Sequence, residues 1–216
     1  MDDVDPGALA DTAYGVFEIL LNRKLSARGP YLYERVEQNI DFRNDFLEVF
    51  REFEAEYPLL AHALLERFGS PDAIYDLLLE GEGVTPTKTT LIYWIVQDAP
   101  HFRGGETDVE LGGKWLIFVN PDEADEAWRR VRDETAAGRL GISARVSTGK
   151  PNPDARDDRI VIYVHTQDWR DEAEVMRVRE RLRELGFTER IGYKRNIETY
   201  QGEYSEKGKR VTFYSA

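Results

Sequence analysis

Asp158-Arg159-Ile160-Val161-Ile162-Tyr163-Val164-His165-Thr166 decides the fold. Its side chains sort into an apolar set, Ile160, Ile162 and Val164, and an opposite set of Arg159, Val161, Tyr163 and His165, as they would in a strand with one face on a core. The upstream stretch from Ile142 to Thr148 divides the same way. Ile142, Ala144 and Val146 form its apolar set, and Ser143, Arg145 and Ser147 face the other way. Toward the end, Ile191 and Tyr193 oppose Arg190, Gly192 and Lys194, while Val211 and Phe213 oppose Thr212 and Tyr214.

Between these strands lie two helical patterns. Asn120-Pro121-Asp122 opens a helix whose stripe is Ala124, Trp128, Val131 and Thr135, closing at Gly138. Asp168 is expected to cap a second, with Val175, Val178, Leu182 and Leu185 on one face and Gly186 as its stop. Further strands are expected over Thr89 to Val96, which is β-branched and aromatic, and Lys114 to Val119. The segments Asp98 to Glu110 and Gly149 to Asp158 read as polar loops. Strands interleaved with helices give an α+β fold, an antiparallel sheet covered on one side.

The first 80 or so residues read as helical. Val16, Phe17, Leu20 and Leu21 recur at helical spacing up to Arg28-Gly29-Pro30. Val36, Ile40, Leu47, Phe50 and Phe53 make a second stripe, broken at Tyr57-Pro58. Leu60, Leu64 and Phe68 make a third, ending at Gly69. Ser70-Pro71-Asp72 then starts a short helix through Leu79, with Ser70 as N-cap. These aromatic stripes read as core. Gly81-Glu82-Gly83-Val84-Thr85-Pro86 interrupts both periodicities, so we expect a helical region over residues 1–84 and an α+β domain over 85–216.

Acidic residues number 41 against 29 basic ones among 216, a net charge of −12. A binder of long nucleic acid carries a basic footprint, so nonspecific DNA or RNA binding is disfavoured, although a local cationic patch can still hold a short ligand. Aromatic residues at 12% argue against a disordered chain. The absence of cysteine removes disulfides, thiolate metal sites and thiol catalysis. Three scattered histidines (His62, His101 and His165) lack metal-ligand spacing, and neither a G-x-x-x-x-G-K loop nor a G-x-G-x-x-G turn is present. No cofactor or metal is expected. No run approaches the about 20 apolar residues of a membrane span. The Met1-Asp2-Asp3-Val4-Asp5 start is acidic where a signal peptide would be basic, so a cytoplasmic location is expected.

The cations on the helix-free strand faces reverse the overall sign of the chain. Arg145, Arg159, His165 and Lys194 gather there beside Tyr163 and Tyr214, and Ser147-Thr148-Gly149-Lys150 could form a small anion-binding turn. Guanidinium groups match phosphate with planar paired donors, and aromatic rings offer stacking surfaces. The candidate ligand-binding set is therefore Arg145, Lys150, Arg159, Tyr163, His165, Lys194 and Tyr214, for a phosphorylated or nucleotide-like anion. The alternative for these cations is a solvated face paired with nearby carboxylates. His165 also reads as a strand-end histidine satisfied by a hydrogen bond, and Asp157-Asp158 as a solvated loop pair.

Three segments carry a family likeness. Gly112-Gly113-Lys114-Trp115-Leu116-Ile117, the strand from Asp158 to Thr166, and Ile191-Gly192-Tyr193-Lys194 with Thr199 resemble, in order and spacing, the strands of translation initiation factor 4E. More closely, the chain is similar to the uncharacterised basophilic-leukaemia-expressed-protein family, through Gly113-Lys114-Trp115, Ala144-Arg145-Val146-Ser147-Thr148 and Tyr193-Lys194 with Thr199, Gly202 and Tyr204. The resemblance implies a curved 4E-like sheet, a phosphate-binding cation at Arg159 and a second at Arg145 or Lys150. It does not supply the two cap-stacking tryptophans: the loop upstream reads Gly104-Gly105-Glu106-Thr107-Asp108, with only His101 and Phe102 nearby, and Trp94 matches a structural strand tryptophan. Some relatives carry the label phosphothreonine lyase, which would cast Lys150 or Lys194 as base and His165 as acid. A third reading is a protein-interaction module without a small ligand, in which the helical region packs on the sheet's helical side. Fold likeness does not choose among the three.

Overall fold

The computed structural model describes residues 6–100, 102, 110–153, 155, 157–200 and 212–216. Expectations that fall on His101, Gly104 to Asp108, Gly202, Tyr204 and Val211 lie outside these residues. The chain divides into two compact units, one of residues up to Tyr93 together with Thr148–Pro153, the other of Trp94–Ser147 together with Asp154–Ala216.

The first unit contains α1 (Pro6–Arg28), α2 (Leu32–Glu37), α3 (Arg43–Glu56), α4 (Pro58–Phe68) and α5 (Pro71–Glu80). The stripe expected to run from Val36 to Phe53 is two helices, because Asn39 adopts φ 53° between them. Phe17 sits at the centre of the core, with the rings of Phe46, Phe50 and Phe53 each about 5.5 Å away. Ser70 accepts the Ala73 amide and Pro71 opens α5, as the sequence indicates.

Thr89 to Tyr93 is not a strand. The Glu82 carboxylate accepts the amides of Thr90 and Leu91, and the Thr89 hydroxyl accepts the amide of Gly83 while donating to the Thr85 carbonyl. Backbone donors that a ladder would need are used locally, so β propensity loses to side-chain capture.

The second unit is built on a sheet that has, among the described residues, six strands in the order β1-β3-β4-β2-β5-β6, with antiparallel pairing throughout. They are β1 (Trp94–Asp98), β2 (Gly113–Val119), β3 (Ser143–Ser147), β4 (Ile160–Thr166), β5 (Gly192–Arg195) and β6 (Tyr214–Ser215). Helices α6 (Pro121–Ala136) and α7 (Glu172–Glu184) are joined by the short α8 (Asn196–Tyr200). The fold class is thus the expected one, an α+β sheet backed by helices and preceded by helices. Asp171, not Asp168, caps α7 by accepting the Glu174 amide at 3.0 Å; Asp168 is held instead by Arg170.

The covered face explains the motifs. Trp115 is fully buried and its Nε1 donates to the Val175 carbonyl at 3.0 Å, tying α7 to β2. Trp128 of α6 is 1% exposed. Tyr193 crosses Gly113 so that its hydroxyl meets Thr166 Oγ1 at 2.6 Å. A Cβ at position 113 would overlap that phenol ring, so the glycine is required by close approach. The Gly-Gly-Lys-Trp and Ile-Gly-Tyr segments therefore interlock as packing. Among the described residues no helix is long and apolar enough to cross a membrane.

Candidate functional site on the open face of the sheet

Register fixes which side chains share the face away from α6 and α7. Lys114 lies opposite both His165 of β4 and Lys194 of β5. Arg145 lies opposite Tyr163 and Val96, and Trp94 opposite Ser147. Leu116 and Phe118 continue the face along β2, where Phe118 is half exposed.

Four predicted residues come together there: Arg145, Tyr163, His165 and Lys194. Two more join them that the sequence reading passed over, Lys114 and Trp94. Trp94 and Tyr163 stack with centroids 5.2 Å apart and an interplanar angle of 28°. The Arg145 guanidinium carbon sits 4.4 Å from the Trp94 centroid and 5.0 Å from that of Tyr163. Lys114 Nζ lies 5.3 Å from the same Tyr163 centroid and 3.3 Å from Asn196 Oδ1. His165 meets Tyr163 edge-on at 6.3 Å. Cation–π contacts of this kind fix a guanidinium plane and contribute about 0.5–2 kcal/mol each.

The electrostatics of this cluster are weighted toward positive charge. Burial pushes the Lys114 ammonium down to about 8, and Arg145 and then Lys194 push the same way, while Glu198 opposes them more weakly. Burial also drives His165 down to about 3, again helped by Arg145 and Lys114, so its imidazole is neutral near neutrality. Asp98 shares the face opposite Ser143, and burial raises its carboxyl. Lys114 is 4% exposed and Lys194 7%. Two ammonium groups face each other on paired strands, a repulsion that Glu198 partly offsets.

The remaining predicted residues lie elsewhere. Arg159 shares the open side of β4 but is four residues from Tyr163, about 13 Å at strand rise. It chelates Asp157 and covers the Phe118 ring at 5.0 Å. Lys150 belongs to the helical unit, where its ammonium meets Asp11 at 2.6 Å and the Leu91 carbonyl at 2.7 Å and lies over Tyr93. Tyr214 is in register with Tyr193 and so lies on the helix-covered side of the sheet, not the open one; its hydroxyl donates to the Trp169 carbonyl. Alternation read backward from Phe213 misplaces it, because β6 is two residues long and its register is set by pairing with Tyr193. Lys114 and Trp94 were legible by the same alternation rule, since Gly113, Trp115 and Ile117 point inward. Among the described residues, no group of three or more His, Asp or Glu side chains is arranged to hold a metal ion.

Comparison with known proteins bears on the sheet-bearing half. Residues 104–202 match the family described as basophilic leukemia-expressed protein Bles03. Solved structures similar to this chain include schistosome eIF4E complexed with m7GpppA and 4E-BP, at 15% identity and a TM-score of 0.40, covering 53% of this chain and 65% of that one. Another is C. elegans eIF4E-3 in complex with the 4E-binding protein Mextli and a cap analog, at 16% identity and a TM-score of 0.40, covering 57% of this chain and 68% of that one. A third is Ascaris suum eIF4E-3 with an m2,2,7G cap, at 16% identity and a TM-score of 0.38, covering 56% and 68% respectively. The chain thus spans about two thirds of the length of these factors. Over residues 104–202 the chain is similar to the Bles03 family, the one that its strand motifs resemble.

Proposed function

We propose that the open face of the sheet is a binding site for a phosphorylated or nucleotide-like anion, centred on Lys114, Arg145 and Lys194, with Tyr163 and Trp94 holding the guanidinium in place. The observation that supports this reading most is the gathering of three cations on one face of the sheet, two of them on paired strands and more than 90% shielded from solvent, in a chain of net charge −12. The site would act through positioned charge, because shielded cations interact with an anion far more strongly than exposed ones.

Among the described residues, two of the side chains cast for a lyase do not suit their parts. His165 is held neutral and offers a leaving phosphate only the weakly acidic N–H of an uncharged imidazole. Lys150, one candidate base, is engaged by Asp11 in the helical unit.

The test is thermal melting with inorganic phosphate, nucleoside phosphates and a phosphothreonine peptide. A ligand present at a hundred times its Kd stabilises the fold by about 2.7 kcal/mol. A clear rise in Tm that disappears in Arg145→Ala supports the reading. An unchanged Tm with every anion contradicts it.

A further inference from the structure

Resting on that reading, we infer that the site takes small phosphomonoesters by their phosphate end and that its stacked aromatic pair, Trp94 and Tyr163, is no slot in which to sandwich a base. The argument is the occupancy of the aromatic pair. Holding a flat base between two rings takes two stacking contacts of about 3.5 Å each, and hence a gap of about 7 Å. Trp94 and Tyr163 are 5.2 Å apart at 28°, already in contact with each other. The groove beside them is taken by Arg145, whose guanidinium carbon is 4.4 and 5.0 Å from the two centroids. The rings therefore serve the guanidinium, not a ligand base.

What the pair presents to a ligand is a cation whose plane is fixed before binding. A planar guanidinium with fixed orientation suits two oxygens of one phosphate. Lys114 on β2, close enough to feel both Arg145 and Lys194, extends the positive charge from Arg145 across the sheet to Lys194 on β5. Three cations match a doubly charged phosphomonoester better than a singly charged diester. The neutral imidazole of His165, opposite Lys114 on β4, adds hydrogen-bonding capacity and no charge. Phe118, a further large ring on this face, is covered by Arg159, which is itself held by Asp157.

The experiment is a calorimetric titration of the full chain with inorganic phosphate, phenyl phosphate, phosphothreonine, adenosine and guanosine monophosphates, a methyl diester of phosphate, and the parent nucleosides. The expected result is binding of the monoesters with Kd values within about tenfold of one another, weaker binding of the diester and none of the nucleosides. Arg145→Ala should weaken every monoester by at least about tenfold, Arg145→Lys by less, because charge remains while the planar fork is lost. Arg159→Ala should change affinity by less than about twofold, as a surface pair remote from the site. Uptake of inorganic phosphate alongside the esters marks free phosphate and metabolite phosphates as equivalent sources; preference for the esters marks an organic phosphate as the occupant. Binding that follows the base, with nucleosides competing and Arg145→Ala still sensitive, overturns the phosphate-end inference while leaving the anion site standing. Heat from none of these probes overturns both.

Discussion

Each unit holds one conspicuous pair of shielded like charges, carboxyls in the helical unit and ammonium groups on the open face of the sheet. In the helical unit, Glu18 and Glu82 are 8% and 5% exposed, near Tyr14 and against the backbone of Gly83. The Glu18 carboxyl is raised to about 8, by burial first and then by Glu82, despite a hydrogen bond from Asn22. Glu82 places its carboxylate on the Thr90 and Leu91 amides, a structural use of negative charge. On the open face of the sheet the shielded pair is Lys114 and Lys194, beside Arg145, Tyr163 and His165 and with the buried Glu198 acting on Lys114. The buried acids of the first unit meet hydrogen-bond donors, Asn22 on Glu18 and the Thr90 and Leu91 amides on Glu82, whereas the cations of the second lie close enough to depress the Lys114 ammonium. That difference is what the proposed anion site rests on.

Opposite charges give opposite pH responses, and these are the largest effects that can break the comparison. Glu18 has a folded pKa above its unfolded one. Its contribution is complete below about pH 4.5 and is lost as pH rises through about 8. Stability of the helical unit should fall by on the order of 4 kcal/mol across that window, and Glu18→Gln should flatten it. Amide hydrogen exchange in α1, corrected for intrinsic rates, measures this; a flat profile in the wild type would contradict it.

The sheet unit should respond the other way. Lys114 has a folded pKa of about 8, below the ordinary 10.5. Its contribution is therefore complete above about pH 10.5 and is lost as pH falls through about 8, a difference on the order of 3 kcal/mol. His165 adds a second loss as pH falls from 6.5 toward about 3. Exchange in β2 and β4 should slow between pH 8 and 10, and Lys114→Met should remove that trend. A bound phosphate should also remove it, by holding the ammonium charged.

A smaller effect separates the two faces of the sheet. Gly113→Ala forces Tyr193 off Thr166 and should cost about 2–3 kcal/mol in chemical denaturation. Anion affinity per folded molecule should change far less than it does in Arg145→Ala. Smallest of all, Tyr214→Phe removes one 3.3 Å hydrogen bond to Trp169 and should cost less than about 1 kcal/mol, with no change in ligand affinity. Loss of anion binding in Tyr214→Phe would place that tyrosine in the site after all.

Alternation made most of the sheet legible. Ile160, Ile162 and Val164 announce the buried face of β4, and the same rule puts Arg145, Tyr163, His165 and Lys194 on the other. It failed where local rules stop governing. Tyr214 lies in a strand too short to carry its own pattern. Thr89 to Tyr93 has strand composition, but Glu82 captures its amides. Lys150 follows β3 in sequence, yet its ammonium is neutralised by Asp11, 139 residues earlier in the chain, a pairing that no local pattern encodes. Lys114 was hidden by the glycines and tryptophan around it, residues that serve packing on the opposite side.

The account turns on whether anions bind at the open face. The most direct measurement is an NMR titration of the full chain with phenyl phosphate, following the side-chain signals of Trp94, Lys114, Arg145, Tyr163, His165 and Lys194. The account predicts saturable shifts concentrated on these six residues and absent from Lys150 and Arg159. Shifts centred on Lys150 or Arg159, or none at all, would contradict it.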